Sequence, residues 1–266
     1  MDRRTASFAT ERDALLRQAA DALAAAERNG RPIAPLTDAM PDLSTAEAYR
    51  IAAMRTAALG RATVGYKLGY TSAAMRAQMG VEEPNHGVLL EGSGGYGETI
   101  VAADALIHPL VEPEISFLMG RNLAGPGVDR NQAWDAVAAV IASLEVVDTR
   151  YLSYRFKAAD NIADNSSAAR FVLGDAVARE EVGDLRDVVV TLECDGRAID
   201  AGAGRDALGD PVLAVAWLAN ALAASGSSIE AGQIIMSGGL TKAHAAAPGS
   251  RFSASFQGLG HVAAQF

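Results

Sequence analysis

The stretch Val111-Glu112-Pro113-Glu114-Ile115-Ser116-Phe117 (VEPEISF, 111–117) decides how this chain is read. On an extended strand, residues i and i+2 share a face, so Glu112 and Glu114 point one way while Val111, Ile115 and Phe117 supply the other. Two carboxylates about 7 Å apart along a strand repel, unless protons or a cation lie between them. A solvent-facing strand of an antiparallel sheet would explain the pair without any chemistry. The segment LEVVDT (144–149) weighs against that, because it sets Glu145 among Leu144, Val146 and Val147, again an acid in a strand that reads as buried. Buried carboxylates without partners are expensive. Three of them from two strands suit a hard divalent cation in an all-oxygen site with open water positions, Mg2+ or Mn2+ rather than zinc.

Outward from these two segments, short β-type runs punctuated by glycine recur: ATVGYKLGY, GETIVAA, DVVVTLEC, QIIMSGG, FSASFQ and HVAAQF. Ahead of them, residues 10–29 carry Leu15, Leu16, Ala19 and Leu23 at near-helical spacing, and Gly30 is a stop. A second helix opens at Ser44, with Glu47 completing a capping box, and runs to Gly60. Helical patterns return at 131–142 (NQAWDAVAAVIA) and at 211–225, the latter with Asp210 as cap and Pro211 as its first residue. Asp195-Gly196 marks a hairpin. Strands and helices do not alternate regularly. The expected fold is therefore α+β with a mixed, curled sheet, a helical N-terminal segment over 1–61 and a metal-binding catalytic domain over 62–266.

Half of the 266 residues are hydrophobic, enough for a full core. A net charge of -9 leaves no electrostatic footprint for nucleic acid or an anionic membrane. No apolar run approaches the eighteen residues of a membrane span. Cys194 is the single cysteine, which excludes an intrachain disulfide and a thiolate zinc cluster and fits a reducing cytoplasm.

Lys67 lies between Tyr66 and Leu68 in a strand flanked by Gly65 and Gly69. An ammonium group there either snorkels to the surface or has anions around it, and the two glycines point to close approach of backbone or ligand. Ser72 reads as the N-cap of a short helix whose free N–H groups also suit a substrate carboxylate. His86 is a loop histidine whose imidazole could handle protons near neutrality.

The segments YKLGYTSAAMRAQMGV, HPLVEPEISF, LEVVDTRY, IADNSSAARFVLG, IIMSGGLT and FQGLGHVAAQF, in this order, resemble the hydratase and decarboxylase family of meta-cleavage pathways, a branch of the fumarylacetoacetate hydrolase superfamily. The resemblance covers nearly the whole chain. It implies a β-roll fold, a Mg2+ site at Glu112, Glu114 and Glu145, Lys67 in the active site, and small 2-oxo acids as substrates. It further implies a pocket loop at Asp164, Asn165 and Ser166 and a second at Gly239 and Thr241, although such residues also commonly serve turns. The hydratases carry an acid where this chain has Asn85 in GVEEPNHG, and an amide cannot accept a proton at neutral pH. That departure favours the decarboxylase branch, acting on 2-oxo-3-hexenedioate. Arg150, just after the Glu145 strand, could then bind the distal carboxylate of such a dicarboxylate. A hydratase giving 4-hydroxy-2-oxopentanoate, a hydrolase cutting a C–C bond in an acylpyruvate, and a non-catalytic partner subunit are the alternatives. The resemblance also implies a homo-oligomer and association with a partner hydratase or decarboxylase.

Overall fold

The computed structural model of the chain describes residues 3–266. In chain order its main elements are helices α1 (Arg3–Asn29), α2 (Leu36–Ala39) and α3 (Thr45–Ala58), strand β1 (Thr63–Gly69), helix α4 (Ala73–Met79), and strands β2 (Asn85–Leu90), β3 (Gly94–Tyr96), β4 (Glu98–Ile100) and β5 (Leu110–Met119). Next come α5 (Arg130–Ala136), β6 (Val137–Val147), α6 (Ala158–Ala163), β7 (Ala168–Ala178), β8 (Val189–Cys194), β9 (Arg197–Ala203), α7 (Val212–Ala223), β10 (Ile234–Met236), β11 (His244–Ala245), β12 (Arg251–Phe256) and β13 (Gly260–Gln265). The fold is α+β, as expected.

Two mixed sheets face each other. The larger runs β2-β1-β10-β5-β6-β7-β3, with β11 also paired to β5; the smaller runs β4-β13-β12-β8-β9. Between them lies the main core: Val111, Ile115 and Phe117 of β5 and Val140, Leu144 and Val146 of β6 pack against Leu192, Phe252, Ala254 and Val262 of the smaller sheet. These are the alternate positions to Glu112, Glu114 and Glu145, so strand periodicity alone sends the three acids to the opposite face.

The capping box of Ser44 and Glu47 is formed, and Asp210 accepts from the Val212 amide where α7 begins. In α1, Leu16, Ala19, Ala20 and Leu23 are buried, whereas Leu15 is exposed. The helical pattern at 131–142 breaks at its middle. Helix α5 ends at Ala136 and the chain continues as β6, which pairs with β5 on one side and β7 on the other. The run VAAVIASLEVV is apolar throughout, the composition of a strand covered on both faces, and periodicity cannot tell that from a buried helix.

Helices α1 to α3 form a second core, with Leu16, Leu23, Leu36 and Ile51 packed on Tyr151, Ile162 and Ala163 from the segment around α6. The Asp160 carboxylate joins the two parts, accepting from the Thr37 amide at 2.8 Å and its hydroxyl at 2.7 Å. Among the described residues, no helix is long and apolar enough to cross a membrane.

Candidate active site

In the antiparallel pairing of β5 with β6, Glu112 stands directly opposite Glu145, and Glu114 lies opposite Ser143. Opposed residues share a face, so register brings all three acids together, and one oxygen from each lies within 4.8 Å of the others. Lys67 arrives on the same face by a relay: it is in register with Met236 of β10, which is in register with Ser116 of β5. Its Nζ sits 3.0 Å from Glu145 Oε2 and donates to the Ser166 carbonyl at 3.0 Å.

Pro113 shapes the rim. It has no N–H to offer on the edge facing β10 and β11, and there the partner chain departs from the ladder as the loop 237–243. The Gly238 amide donates to Glu114 Oε2 at 2.8 Å and the Leu240 amide to the Pro113 carbonyl at 3.0 Å. Gly239, Thr241 and Ala243 of this loop form one wall of a pocket of about 290 Å3, whose floor is Lys67 and Glu112. Leu68, Gly69, Tyr70 and Thr71 follow Lys67 along the lining, Ser72, Met75, Gln78 and Met79 come from α4 and its N-terminus, and Leu110, Val147, Tyr154, Phe156, Asn161, Ser166 and Ser167 complete it.

Burial, reinforced by Glu145 and opposed by Lys67, pushes the Glu112 pKa up to about 7. Glu114 and Glu145 are raised by the same burial, against the pull of Lys67. Burial disfavours the Lys67 ammonium, but Glu145, Glu112 and Glu114 together outweigh it and hold its pKa above the usual lysine value. One ammonium cannot neutralise three carboxylates. Glu114 Oε1 and Glu145 Oε1 are buried with no hydrogen-bond partner. Uncompensated, hard, converging oxygens are what a divalent cation of the magnesium type requires, so the donor set fits one.

The structure places the other residues named from the sequence as follows. Ser72, Ser166, Gly239 and Thr241 line the pocket with Lys67. Asn85 is buried on the Lys67 face one layer behind, accepting from Ser166 Oγ at 2.9 Å and donating to Asn161 Oδ1 at 2.8 Å. The glycines beside Lys67 serve close approach of protein rather than ligand: a Cβ at Gly65 would lie 1.9 Å from the Ile234 carbonyl oxygen, and one at Gly69 2.4 Å from Asn85 Oδ1.

His86, Arg150, Asp164 and Asn165 do not face the pocket. His86 is one residue out of phase with Asn85, so it projects to the other face, stacked on Tyr49 at 4.5 Å, and burial pushes its pKa down to about 4. The ring is therefore uncharged near neutrality, and it is not part of the pocket lining. Arg150 does not line the pocket; its buried guanidinium is engaged by Asp164 and by the carbonyls of Asp148 and Asp164. Asp164 also accepts from Thr149 Oγ1 and Arg55, which makes it the centre of a structural knot. The Asn165 side chain bonds the amide and carbonyl of Val88, as a strand mimic. Sequence reasoning missed Asn161, Ser167, Tyr154 and Phe156. The two aromatics follow soon after the LEVVDTRY segment, but nothing in their spacing separates a pocket wall from a core contact.

Residues 64–266 match the family model described as fumarylacetoacetate (FAA) hydrolase C-terminal. The chain is 40% identical over 244 residues to 4-oxalocrotonate decarboxylase of Pseudomonas sp. (strain CF600), covering 91% of this chain and 92% of that protein. It is 38% identical over 253 residues to 2-keto-4-pentenoate hydratase of Paraburkholderia xenovorans (strain LB400), covering 94% of each. Its structure superposes on that of 4-oxalocrotonate decarboxylase from Pseudomonas putida G7, solved with magnesium and adipate, with a TM-score of 0.92 at 39% identity, over 96% of this chain and 98% of that one. Both kinds of relative are lyases of meta-cleavage catabolism. A matched domain spanning the two sheets, the E-x-E strand facing a third glutamate, and relatives aligned over nine-tenths of the chain lead to one conclusion: the protein belongs to the fumarylacetoacetate hydrolase family.

Proposed function

We propose that the protein is a Mg2+-dependent decarboxylase converting 2-oxo-3-hexenedioate to 2-hydroxypenta-2,4-dienoate. Position 85 carries this reading over a hydratase. The buried side chain there is an amide committed on both sides, to Ser166 and to Asn161, and it offers no base to activate water.

Glu112, Glu114 and Glu145 would hold the cation. When bound, it supplies Lewis acidity toward the substrate's 2-oxo oxygen. The chain's own groups supply the rest. Among the described residues, Lys67 is the single cationic side chain lining the pocket, and its Nζ holds a proton beside the place where negative charge collects. Beyond it the lining turns to Met75, Met79, Leu110, Val147 and Phe156 with neutral donors at Ser72, Gln78 and Thr241. A carboxylate in that setting is poorly solvated, which favours its loss as neutral CO2. The C5–C6 bond breaks, its electron pair becomes the C4–C5 double bond, the former alkene pair moves to C2–C3, and the carbonyl pair comes to rest on the 2-oxo oxygen. Protonation there gives the dienol. An acylpyruvate hydrolase needs a base for water, and none of the four histidines lines the pocket among the described residues. The dienol product is unstable in water, which favours association with a hydratase; a homo-oligomer belongs to the same proposal.

The test is CO2 release from enzymatically generated 2-oxo-3-hexenedioate, followed together with the ultraviolet change. Release should depend on Mg2+, stop with EDTA, and be lost in Glu112→Gln and Glu114→Gln. No CO2, with metal-dependent loss of 2-hydroxypenta-2,4-dienoate in a parallel cuvette, would make the protein a hydratase instead.

A further inference from the structure

The carbonyl that anchors Lys67 belongs to an unusual turn. Asn165, Ser166 and Ser167 all have positive φ, at 55°, 53° and 57°. None is glycine, and L-residues adopt that region singly and at a cost, so three in succession must be held by their surroundings. The ends are pinned by neighbouring main chain: Asn165 brackets Val88 in β2, and the Ser167 carbonyl accepts at 2.8 Å from the amide of Asp148, just past the end of β6. The middle residue, whose carbonyl meets Lys67 Nζ, has no such strand contact. It is held through side chains.

Those side chains form a directed ring. Ser166 Oγ donates to Asn85 Oδ1 at 2.9 Å, Asn85 Nδ2 to Asn161 Oδ1 at 2.8 Å, and Asn161 Nδ2 to Ser167 Oγ at 3.0 Å. All four residues are buried, and Asn161, Ser166 and Ser167 line the pocket. Asn161 reaches the ring from α6, the helix fastened to the N-terminal segment through Asp160 and Thr37. Its amide is the one member that touches both Asn85 and the far end of the turn.

We propose that Asn161 is a positioning residue: through Asn85 and Ser167 it fixes the left-handed turn 165–167, so that the Ser166 carbonyl holds Lys67 beside Glu145 at the pocket floor. It acts through other groups and need not touch substrate. The idea rests on the lyase reading of this pocket, and it extends that reading to a helix outside the two sheets.

Two variants separate positioning from bulk stability. Asn161→Leu keeps the volume but breaks both hydrogen bonds. Asn161→Asp keeps both, since a carboxylate accepts from Asn85 Nδ2 and from the Ser167 hydroxyl. Displacing a reacting group by about 1 Å costs on the order of a hundredfold in rate. The expected result for Asn161→Leu is a kcat loss approaching that size with KM within about threefold, unchanged Mg2+ affinity by calorimetry, and faster amide exchange confined to 164–168. Asn161→Asp should restore most of kcat, and Asn85→Ala combined with Asn161→Leu should be no slower than the worse single variant. Unaltered kcat in Asn161→Leu, or losses that multiply in the double variant, overturns the proposal. If Asn161→Leu does not fold, Asn161→Ala is read by the same criteria. A parent protein with no lyase activity would sink the functional reading itself, and amide exchange at 164–168 would still decide whether Asn161 holds the turn.

Discussion

Arg150 and Lys67 are both buried cations, yet only one is free to work. Lys67 has a single carboxylate within ion-pair distance and opens on the pocket, whereas Arg150 is saturated by Asp164 and main-chain carbonyls. Removing one partner of a buried pair strands the other. Arg150→Met is therefore expected to lower stability by about 3–5 kcal/mol, read by urea unfolding, while the KM of the folded fraction stays within about twofold. A large rise in KM with little loss of stability would return Arg150 to the substrate. The contrast marks how far single residues are legible. Glu112, Glu114, Glu145 and Lys67 stood out because each is a charge in an apolar run, and a charge there demands a partner. The face occupied by His86 depends on a one-residue register, which composition does not encode. The left-handed turn at 165–167 was hidden for a similar reason: asparagine tolerates that region, but two serines after it give no signal.

Single strands carry the site because register, once set, places every side chain on them. Strand β1 shows how narrow the tolerance is. Lys67 reaches the glutamates through the parallel pairing of β1 with β10, and at Gly65 the two backbones approach so closely that a Cβ would overlap the Ile234 carbonyl oxygen at 1.9 Å. Gly65→Ala must push β10 away or break the pairing. The expected outcome is a protein that either accumulates insoluble or folds with kcat reduced at least about tenfold and Mg2+ affinity much less affected, since the glutamates hang from β5 and β6. Normal activity and a normal melting temperature would show that the strands separate at no cost. Glycine beside Lys67 did signal close approach in the sequence; that the approaching group is backbone required the sheet. Strand β6 failed to announce itself for the opposite reason. Its apolar run has no alternation, because β5 and β7 flank it and both its faces are covered, so helix and strand were equally consistent with its pattern until pairing decided.

At the scale of the whole molecule, two sheets and a helical segment are folded around an electrostatic debt that a cation relieves, and this makes stability depend jointly on pH and metal. Burial pushes the Glu112 pKa up to about 7, and it raises those of Glu114 and Glu145 as well. An acid whose folded pKa lies above its unfolded value, here 4.5, keeps its proton in the native state after the unfolded chain has released it. The native state then binds more protons than the unfolded one between pH 4.5 and about 7, so stability falls as pH rises through that window. Below it both states are protonated and nothing is lost. A bound cation reverses the preference, because ionised carboxylates are its ligands and its binding expels their protons. The metal-free protein should thus melt at a lower temperature at pH 8 than at pH 5.5. Saturating Mg2+ should raise the melting temperature strongly at pH 8, by the equivalent of about 2.7 kcal/mol at a hundred times Kd, and weakly at pH 5.5, where protons compete. Differential scanning fluorimetry with EDTA and with Mg2+ at the two pH values measures this directly. In Glu114→Gln one raised carboxylate is gone, so the metal-free pH dependence should flatten and the Mg2+ shift shrink together. Equal Mg2+ shifts at both pH values would mean that the cation does not displace protons from this cluster, and the three glutamates would then have to be stabilised in some other way.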